Sequence, residues 1–344
     1  MATFNSPFAK YIPQPGNGTL HLALLSPSVL TLSKFSYSYP LKLIAPSSHT
    51  SPSNHQVATV FLLSYGGGLL PNDHIYLTVH QERETRLAIL TQGSTKIFPQ
   101  QKEKEGAVQG KPGSSQFLDV TIDDNAALCY LPDPVQPFGT SIYEQKQMFR
   151  VREGSSSSLC VLDWVSEGRR ARGESWKFYR WAGRNEVWMS STSGSDEIAN
   201  PGERLLLRDN VILDASSTLG FLADRMENMG VIGTLTIYGP LFQSLGEYFL
   251  DEFKKLPRIG ARNWSTHDSE AAPQISQEEQ IRITRQSQEK EAGVIWTAAR
   301  VRSCVLVKFG AREVEGGRKW LGAMLKAEGS VEREFGERAL LCLR

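Results

Sequence analysis

The sequence predicts a mainly β protein with two α-helices toward its C-terminal part. Short runs rich in β-branched and aromatic residues fill the first 240 positions, bounded by Gly, Pro, Asn, Asp or Ser. Many of them alternate. Ile75, Leu77 and Val79 share one face, with His74, Tyr76, Thr78 and His80 on the other. Helical periodicity begins only after residue 239. Strands this frequent, with few helices between them, argue against a doubly wound α/β fold. They favour a sandwich, a barrel or a solenoid-like stack.

The strand candidates, in order, are TLHLALL (19–25), VATVFLLS (57–64), HIYLTVH (74–80), TRLAILT (85–91) and AALCYL (126–131). SIYEQKQMFRV (141–151), SLCVLDWV (158–165), SWKFYRWA (175–182) and VIGTLTIYG (231–239) follow. GPLFQSLGEYFLDEFKKL (239–256) sets Leu241, Phe242, Leu245, Tyr248, Phe249 and Phe253 on one helical side, and Pro257 stops it. ISQEEQIRITRQSQEKEAG (275–293) is polar and reads as helix or solvated loop. VIWTAARVRSCVLVKFG (294–310) returns to strand character. RKWLGAMLKAEG (318–329) is the second amphipathic helix, with Trp320, Leu321, Met324 and Leu325 together. The stretches at about 45–56 and 99–116 are polar insertions, too poor in apolar area to offset their ordering cost. No linker separates two halves, so residues 1–344 read as a single domain.

The chain has 344 residues, 40% hydrophobic and 22% charged, with a formal net charge of +1. That balance predicts a globular protein with no broad pull toward nucleic acid or an anionic membrane. No run approaches the length of a membrane span, and the N-terminus MATFNSPFAK lacks the pattern of a secretory signal. Cys129, Cys160, Cys304 and Cys342 are far apart in mostly apolar runs, as suits reduced, buried thiols. A cytoplasmic location is expected.

Residues 64–73, SYGGGLLPND, invite a phosphate-loop reading through Gly66, Gly67 and Gly68. A strand follows them, so the helix N-terminus that would hold phosphate is missing. A close-packed turn between strands is the better reading. No GxSxG elbow, CxxC or HExxH is present. The histidines His21, His49, His55, His74, His80 and His267 form no triad in sequence. VSEGRRARGESW (165–176) packs Arg169, Arg170 and Arg172 beside Glu167 and Glu174. It is either an ordinary charged hairpin loop or a forked Arg surface that docks carboxylates on a partner. TQGSTKIF (91–98) places Gln92, Ser94, Thr95 and Lys96 directly after an apolar strand, and YLPDPVQPFGTS (130–141) sets three prolines between two strands.

Taken together, SYGGGLLPND, TQGSTKIF, YLPDPVQPF and EGRRARGE resemble, in order and spacing, the urease accessory protein UreD (UreH) family, over about residues 18–260. The family has a small residue before the aspartate of the glycine turn; here Pro71 and Asn72 precede Asp73. The two polar insertions are similar to those of eukaryotic members. The resemblance implies a non-enzymatic scaffold with helix-like, solenoid-like stacked β-strands and two helices. It implies docking on urease apoprotein with UreF and the GTPase UreG, for nickel insertion and active-site maturation. It implies no tightly bound cofactor, nickel only in transit, and an internal tunnel as the nickel route. On that basis Asp73, Gln92 and Lys96 are expected in a polar interior or tunnel lining, beside the structural turn Gly66–Gly68. Arg169, Arg172, Gly173 and Glu174 are expected on a partner-docking surface or holding the adjacent loop. The UreF-facing surface is expected in the C-terminal part, where apolar helix faces would serve a helical partner. The competing reading is a carbohydrate-active β-solenoid enzyme or glycan-binding module, with Trp164, Trp176, Trp181 and Trp188 stacking on sugars.

Overall fold

The computed structural model describes residues 14–25, 29–100, 113–154, 156–190, 202–218, 220–256 and 276–344. The strands run β1 (Asn17–Leu25), β2 (Val29–Tyr37), β3 (Leu41–Ile44), β4 (His49–Thr50), β5 (Gln56–Ser64) and β6 (Gly68–Leu69). Then come β7 (His74–Gln81), β8 (Arg86–Leu90), β9 (Lys96–Ile97), β10 (Ser114–Ile122), β11 (Ala127–Tyr130), β12 (Gln136–Pro137) and β13 (Ile142–Arg152). β14 (Ser158–Ser166), β15 (Arg180–Ser190) and β16 (Glu203–Asp214) follow. After the single turn α1 (Leu222–Arg225) come β17 (Val231–Tyr238), α2 (Gln243–Lys254), α3 (Gln277–Ala292), β18 (Ile295–Val301), β19 (Cys304–Ala311), α4 (Val314–Glu328) and α5 (Ser330–Phe335).

These strands form three sheets. The first runs β16-β15-β13-β10-β7-β1-β2, the second β18-β19-β17-β14-β11-β8-β5-β3 with β4 on β5, and the third β12-β9-β6. From β5 to β14 the chain visits the second, third and first sheets in turn. Each strand pairs in parallel with the one a circuit later: β5 with β8 and β8 with β11, β7 with β10 and β10 with β13, β6 with β9. Antiparallel pairs flank this region, among them β1–β2, β15–β16 and β17–β19. The molecule is thus mainly β with mixed sheets, as expected. No sheet closes or coils on itself, so the finer expectation of a solenoid does not follow from the sheets.

Two cores explain the sequence patterns. One lies between the first and second sheets, and holds Leu20, Leu77, Leu118, Phe149, Leu159 and Val187. The other lies between the second sheet and the helices, and holds Leu162, Trp164, Phe249, Trp320, Leu325 and Phe335. The centre of the second sheet is therefore buried on both faces, and all residues of β8, β11 and β14 are buried. β7, β10 and β13 bury one face only and alternate cleanly.

The helices correct one expectation. The apolar sides of α2 and α4 are core: Leu245, Phe249, Trp320, Leu321, Met324 and Leu325 are buried. They present no free apolar face to a partner. The polar 275–293 stretch is helix, with Ser276 Oγ accepting from the Glu279 N–H at 3.2 Å and Gly293 closing it in the left-handed region. That helix, α3, keeps Ile281 and Ile283 exposed. α4 begins at Val314, four residues before the predicted 318; Gly316 and Gly317, poor helix formers in its first turn, hide that start in the sequence. The predicted strand at 175–182 starts only at Arg180; Trp176 takes φ +53° and its N–H bonds the Glu167 carbonyl.

The insertion at 45–56 is ordered, against the expectation that its polar composition would leave it unsupported. Hydrogen bonds replace apolar burial there. His49 Nε2 lies 2.9 Å from the Phe335 carbonyl, Ser53 N–H donates to the Arg333 carbonyl, and Ser53 Oγ donates to Glu334. Of the 99–116 stretch, residues 101–112 lie outside the described residues, and 114–116 open β10. No helix among the described residues is long and apolar enough to cross a membrane.

Candidate functional site

The glycine turn is a corner between sheets. Gly66 and Gly67 both take φ +73°, a conformation that costs L-residues about 1–2 kcal/mol. Gly68 is extended, and a Cβ there would fall 2.3 Å from the Lys96 carbonyl oxygen across the third sheet. Close approach of two backbones, and not a ligand, explains that glycine. We expect Gly67→Ala to cost about 1 kcal/mol and Gly68→Ala two or more times as much, measured as urea-unfolding midpoints. Equal losses would remove the close-approach account.

Asp73 closes the turn itself. Its Oδ2 accepts from the Leu70 N–H at 2.8 Å, and it is half-buried. Gln92 and Lys96 are exposed. The three are not gathered into an interior. Gln92 lines a surface cleft of about 210 Å³ with Gly66, Gly67, Thr91 and Thr95; Asp73 and Lys96 do not.

The arginine loop divides in two. Arg169 forms a bidentate pair with Glu174, at 2.6 and 2.8 Å, and lies 4.0 Å from the Phe138 ring centroid. Glu174 Oε2 also accepts the Gly139 N–H. The hydrogen bonds from Arg169 hold the Glu174 carboxyl below its usual range. This pair fastens the loop to the proline-rich 130–141 segment. Arg172 is exposed, and Gly173 takes φ +67° to end the single helical turn Arg170–Arg172. We expect Arg172→Ala to change stability by less than about 0.5 kcal/mol, and Arg169→Ala to cost about 1–2 kcal/mol. Thermal melts of the two variants check this, and the reverse order would contradict it.

The polar interior is built by residues that sequence reasoning passed over. Asp163 points from β14 into the core between the sheets. Its Oδ1 accepts from Gln145 Nε2 at 2.9 Å and its Oδ2 from Asn185 Nδ2 at 2.6 Å. Burial pushes its carboxyl up to about 6, against the pull of those two hydrogen bonds. A Cβ on Gly183 would lie 3.1 Å from this carboxylate, so a glycine leaves it room. Tyr143 Oη donates to Gln145 Oε1. Nearby, Asp209 accepts from Lys308 Nζ at 2.5 Å and from Thr234 Oγ1 at 3.1 Å.

Asp133, inside the proline-rich run, is the second such residue. Its Oδ2 accepts from Thr91 Oγ1 at 3.0 Å and the Gly93 N–H at 2.8 Å, and its Oδ1 accepts from Arg318 Nη2 at 2.8 Å. It ties helix α4 to the 91–95 loop.

Three separate cavities share lining residues here. The cleft at the glycine turn shares Leu62, Thr91 and Thr95 with an interior cavity of about 10 Å³, room for about one water. Asp133, Gln145, Gln147 and Asp163 also line that cavity. It shares Asp163 and Trp164 with a third, mostly apolar cavity of about 390 Å³ that reaches Trp181, Thr234 and Lys308.

Among the described residues no group of three or more His, Cys, Asp or Glu side chains is arranged to hold a metal. The four cysteines are buried free thiols, and burial pushes Cys304 and Cys342 up to about 12. Trp164, Trp176 and Trp181 are buried in the cores, which removes them as stacking platforms for sugars.

The chain is 32% identical over 285 residues to a Schizosaccharomyces pombe protein described as an uncharacterised urease accessory protein ureD-like, covering 82% of this chain and 84% of that one. It is 29% identical to urease accessory protein 4 of Cryptococcus neoformans, covering 94% and 93%. It is 31% identical to urease accessory protein UreD of Sorangium cellulosum, covering 74% and 70%. These similarities define a class of accessory proteins, which serve an enzyme and are not enzymes themselves. Within that class the chain belongs to the UreD urease accessory protein family, whose model matches residues 16–341.

Proposed function

We propose that this chain is a scaffold for urease maturation that docks on urease apoprotein together with UreF and the GTPase UreG. In that complex nickel is inserted and the active site matured. The single observation that carries the reading is the family match over residues 16–341. The geometry supports a role for the interior. Successive cavities with shared walls run from the glycine-turn cleft past Asp163 to Lys308. We read this run as the route of a nickel ion in transit, with Gln92 at its mouth. Nickel is cargo here, and no tightly bound cofactor is required. We read the three-sheet circuit from β5 to β14 as a variant of the solenoid-like stack that the family resemblance implies, and a cytoplasmic location fits free, buried thiols.

Docking surfaces follow from exposure. The α3 residues Ile281 and Ile283 and the exposed Arg172 are the candidates for partner contact. Gly173 and the Arg169–Glu174 pair hold the loop that carries Arg172. The test is co-expression of the chain with urease apoprotein, UreF and UreG, followed by affinity purification through the chain. The expected result is a complex of all four. Recovery of the chain without urease and without UreF would refute the reading.

A further inference from the structure

The first sheet buries one face against the second. Its other face carries mostly half-buried and exposed side chains. Across it Tyr76, Phe117, Lys146 and Arg184 are successive register partners on β7, β10, β13 and β15. Neighbours in such a row lie about 5 Å apart. Tyr76 is 49% exposed, and its ring centroid lies 6.2 Å from that of Phe117. Lys146 Nζ lies 5.6 Å from the Phe117 ring centroid, and Arg184 is exposed.

The two cations are the anomaly. They sit side by side on paired strands, where like charges destabilise a sheet. Neither forms an ion pair among the described residues. The acids in the adjacent rows are committed elsewhere: Glu144 to Arg180 at 3.7 Å, Asp119 to Arg150, and Glu186 to Arg208 at 2.8 Å. Glu186 attracts Lys146 only at longer range. The isolated chain therefore holds two crowded positive charges beside two aromatic rings. Met148 and Ile212, in the rows on either side, add apolar area. Aromatic, Met and Arg side chains are those that protein interfaces concentrate.

The size and place of this face select its occupant. Seven strands of eight to twelve residues make a face of roughly 850 Å². A stable complex takes about 800 Å² from each partner. A helix seeks a groove, whereas an open sheet face of this area matches the side of a folded protein. The helices lie beyond the second sheet, so a partner here leaves α3 free for another.

We propose that Tyr76, Phe117, Lys146 and Arg184 form a docking strip for urease apoprotein, which meets them with an apolar patch flanked by surface carboxylates. This rests on the maturation reading given above and assigns one partner to one face. The rings supply contact area. The partner's carboxylates relieve the like-charge conflict and orient the encounter.

The test is co-expression of the tagged full chain with urease apoprotein, UreF and UreG, with urease and UreF measured in the material recovered through the tag. Arg184→Glu is expected to lower urease recovery about tenfold and Lys146→Gln about threefold, with UreF unchanged. Wild-type urease recovery is expected to fall as sodium chloride rises. Each variant removes the like-charge conflict, so the purified chains are expected to melt no lower than wild type. That readout separates docking from folding: melting well below wild type in both variants would show that the cations support the fold, and would overturn the proposal. Urease recovery that is unchanged in both variants, or independent of salt, would overturn it as well. Absence of urease on the wild-type chain refutes the maturation reading itself; urease retained by both variants refutes the docking strip alone.

Discussion

Replacing Asp133 with Ala should destabilise the protein by about 3 kcal/mol, measured from urea-unfolding midpoints. The carboxylate satisfies three donors at once: Thr91 Oγ1, the Gly93 N–H and Arg318 Nη2. Removing it takes that acceptor from the Thr91 hydroxyl and the Gly93 N–H, and leaves the guanidinium, only 22% exposed, with its longer 3.4 Å contact to Glu315. Arg318→Met is expected to cost less, about 1–2 kcal/mol, because Asp133 then keeps two donors and the methionine retains the packing of the arginine stem. The double variant should lie well below the sum of the singles, since either change breaks the same pair. A loss within 0.5 kcal/mol of wild type for Asp133→Ala would show that α4 is held by its apolar face alone.

Asp163→Asn should have the opposite sign at neutral pH. The folded-state carboxyl titrates at about 6, above its ordinary value of 3.8. Folding therefore takes up a proton between those two pH values. The protonated form is favoured in the folded state, so its stabilisation is complete below about 4 and lost as pH rises through about 6. At pH 7.5 the ionised form costs up to about 3 kcal/mol. Asparagine has no such cost, and Asn185 can turn its uncommitted oxygen toward the new amide. In EDTA, the Asn variant is expected to melt at higher temperature than wild type at pH 7.5, with the gap closing at pH 4.5. A gap that does not depend on pH would mean that Asp163 titrates normally.

Much of the β framework was legible because period-2 alternation and Gly/Pro/Asn boundaries are local signals. β5, β7, β8, β11, β13, β14 and β17 lie within a residue or two of their predicted spans. β10 was hidden because Ser114–Gln116 belong equally to a polar loop and to an alternating strand. The insertion at 45–56 was misjudged because its support comes from α5, nearly 300 residues away in sequence. The glycine turn was legible as a turn, but only pairing with Lys96 distinguishes Gly68 from Gly66 and Gly67.

The polar interior was harder to read. Asp163 carried a usable signal, a lone acid in a strand that is otherwise apolar or small. Asp133 was masked by the prolines around it. Its partner Arg318 is 185 positions away, on a helix whose apolar face drew attention instead. Contacts of that span have no signature in a single sequence. Gln92 and Lys96, expected in an interior on the strength of the resemblance, are both exposed.

The central claim is that this chain serves urease maturation. Its most direct measurement is urease activity in nickel-supplemented cells that lack the endogenous gene and carry either this chain or an empty vector. Urease protein level is monitored in parallel. The account predicts abundant but inactive urease without the chain, and restored activity with it. Full urease activity in the absence of the chain would contradict it.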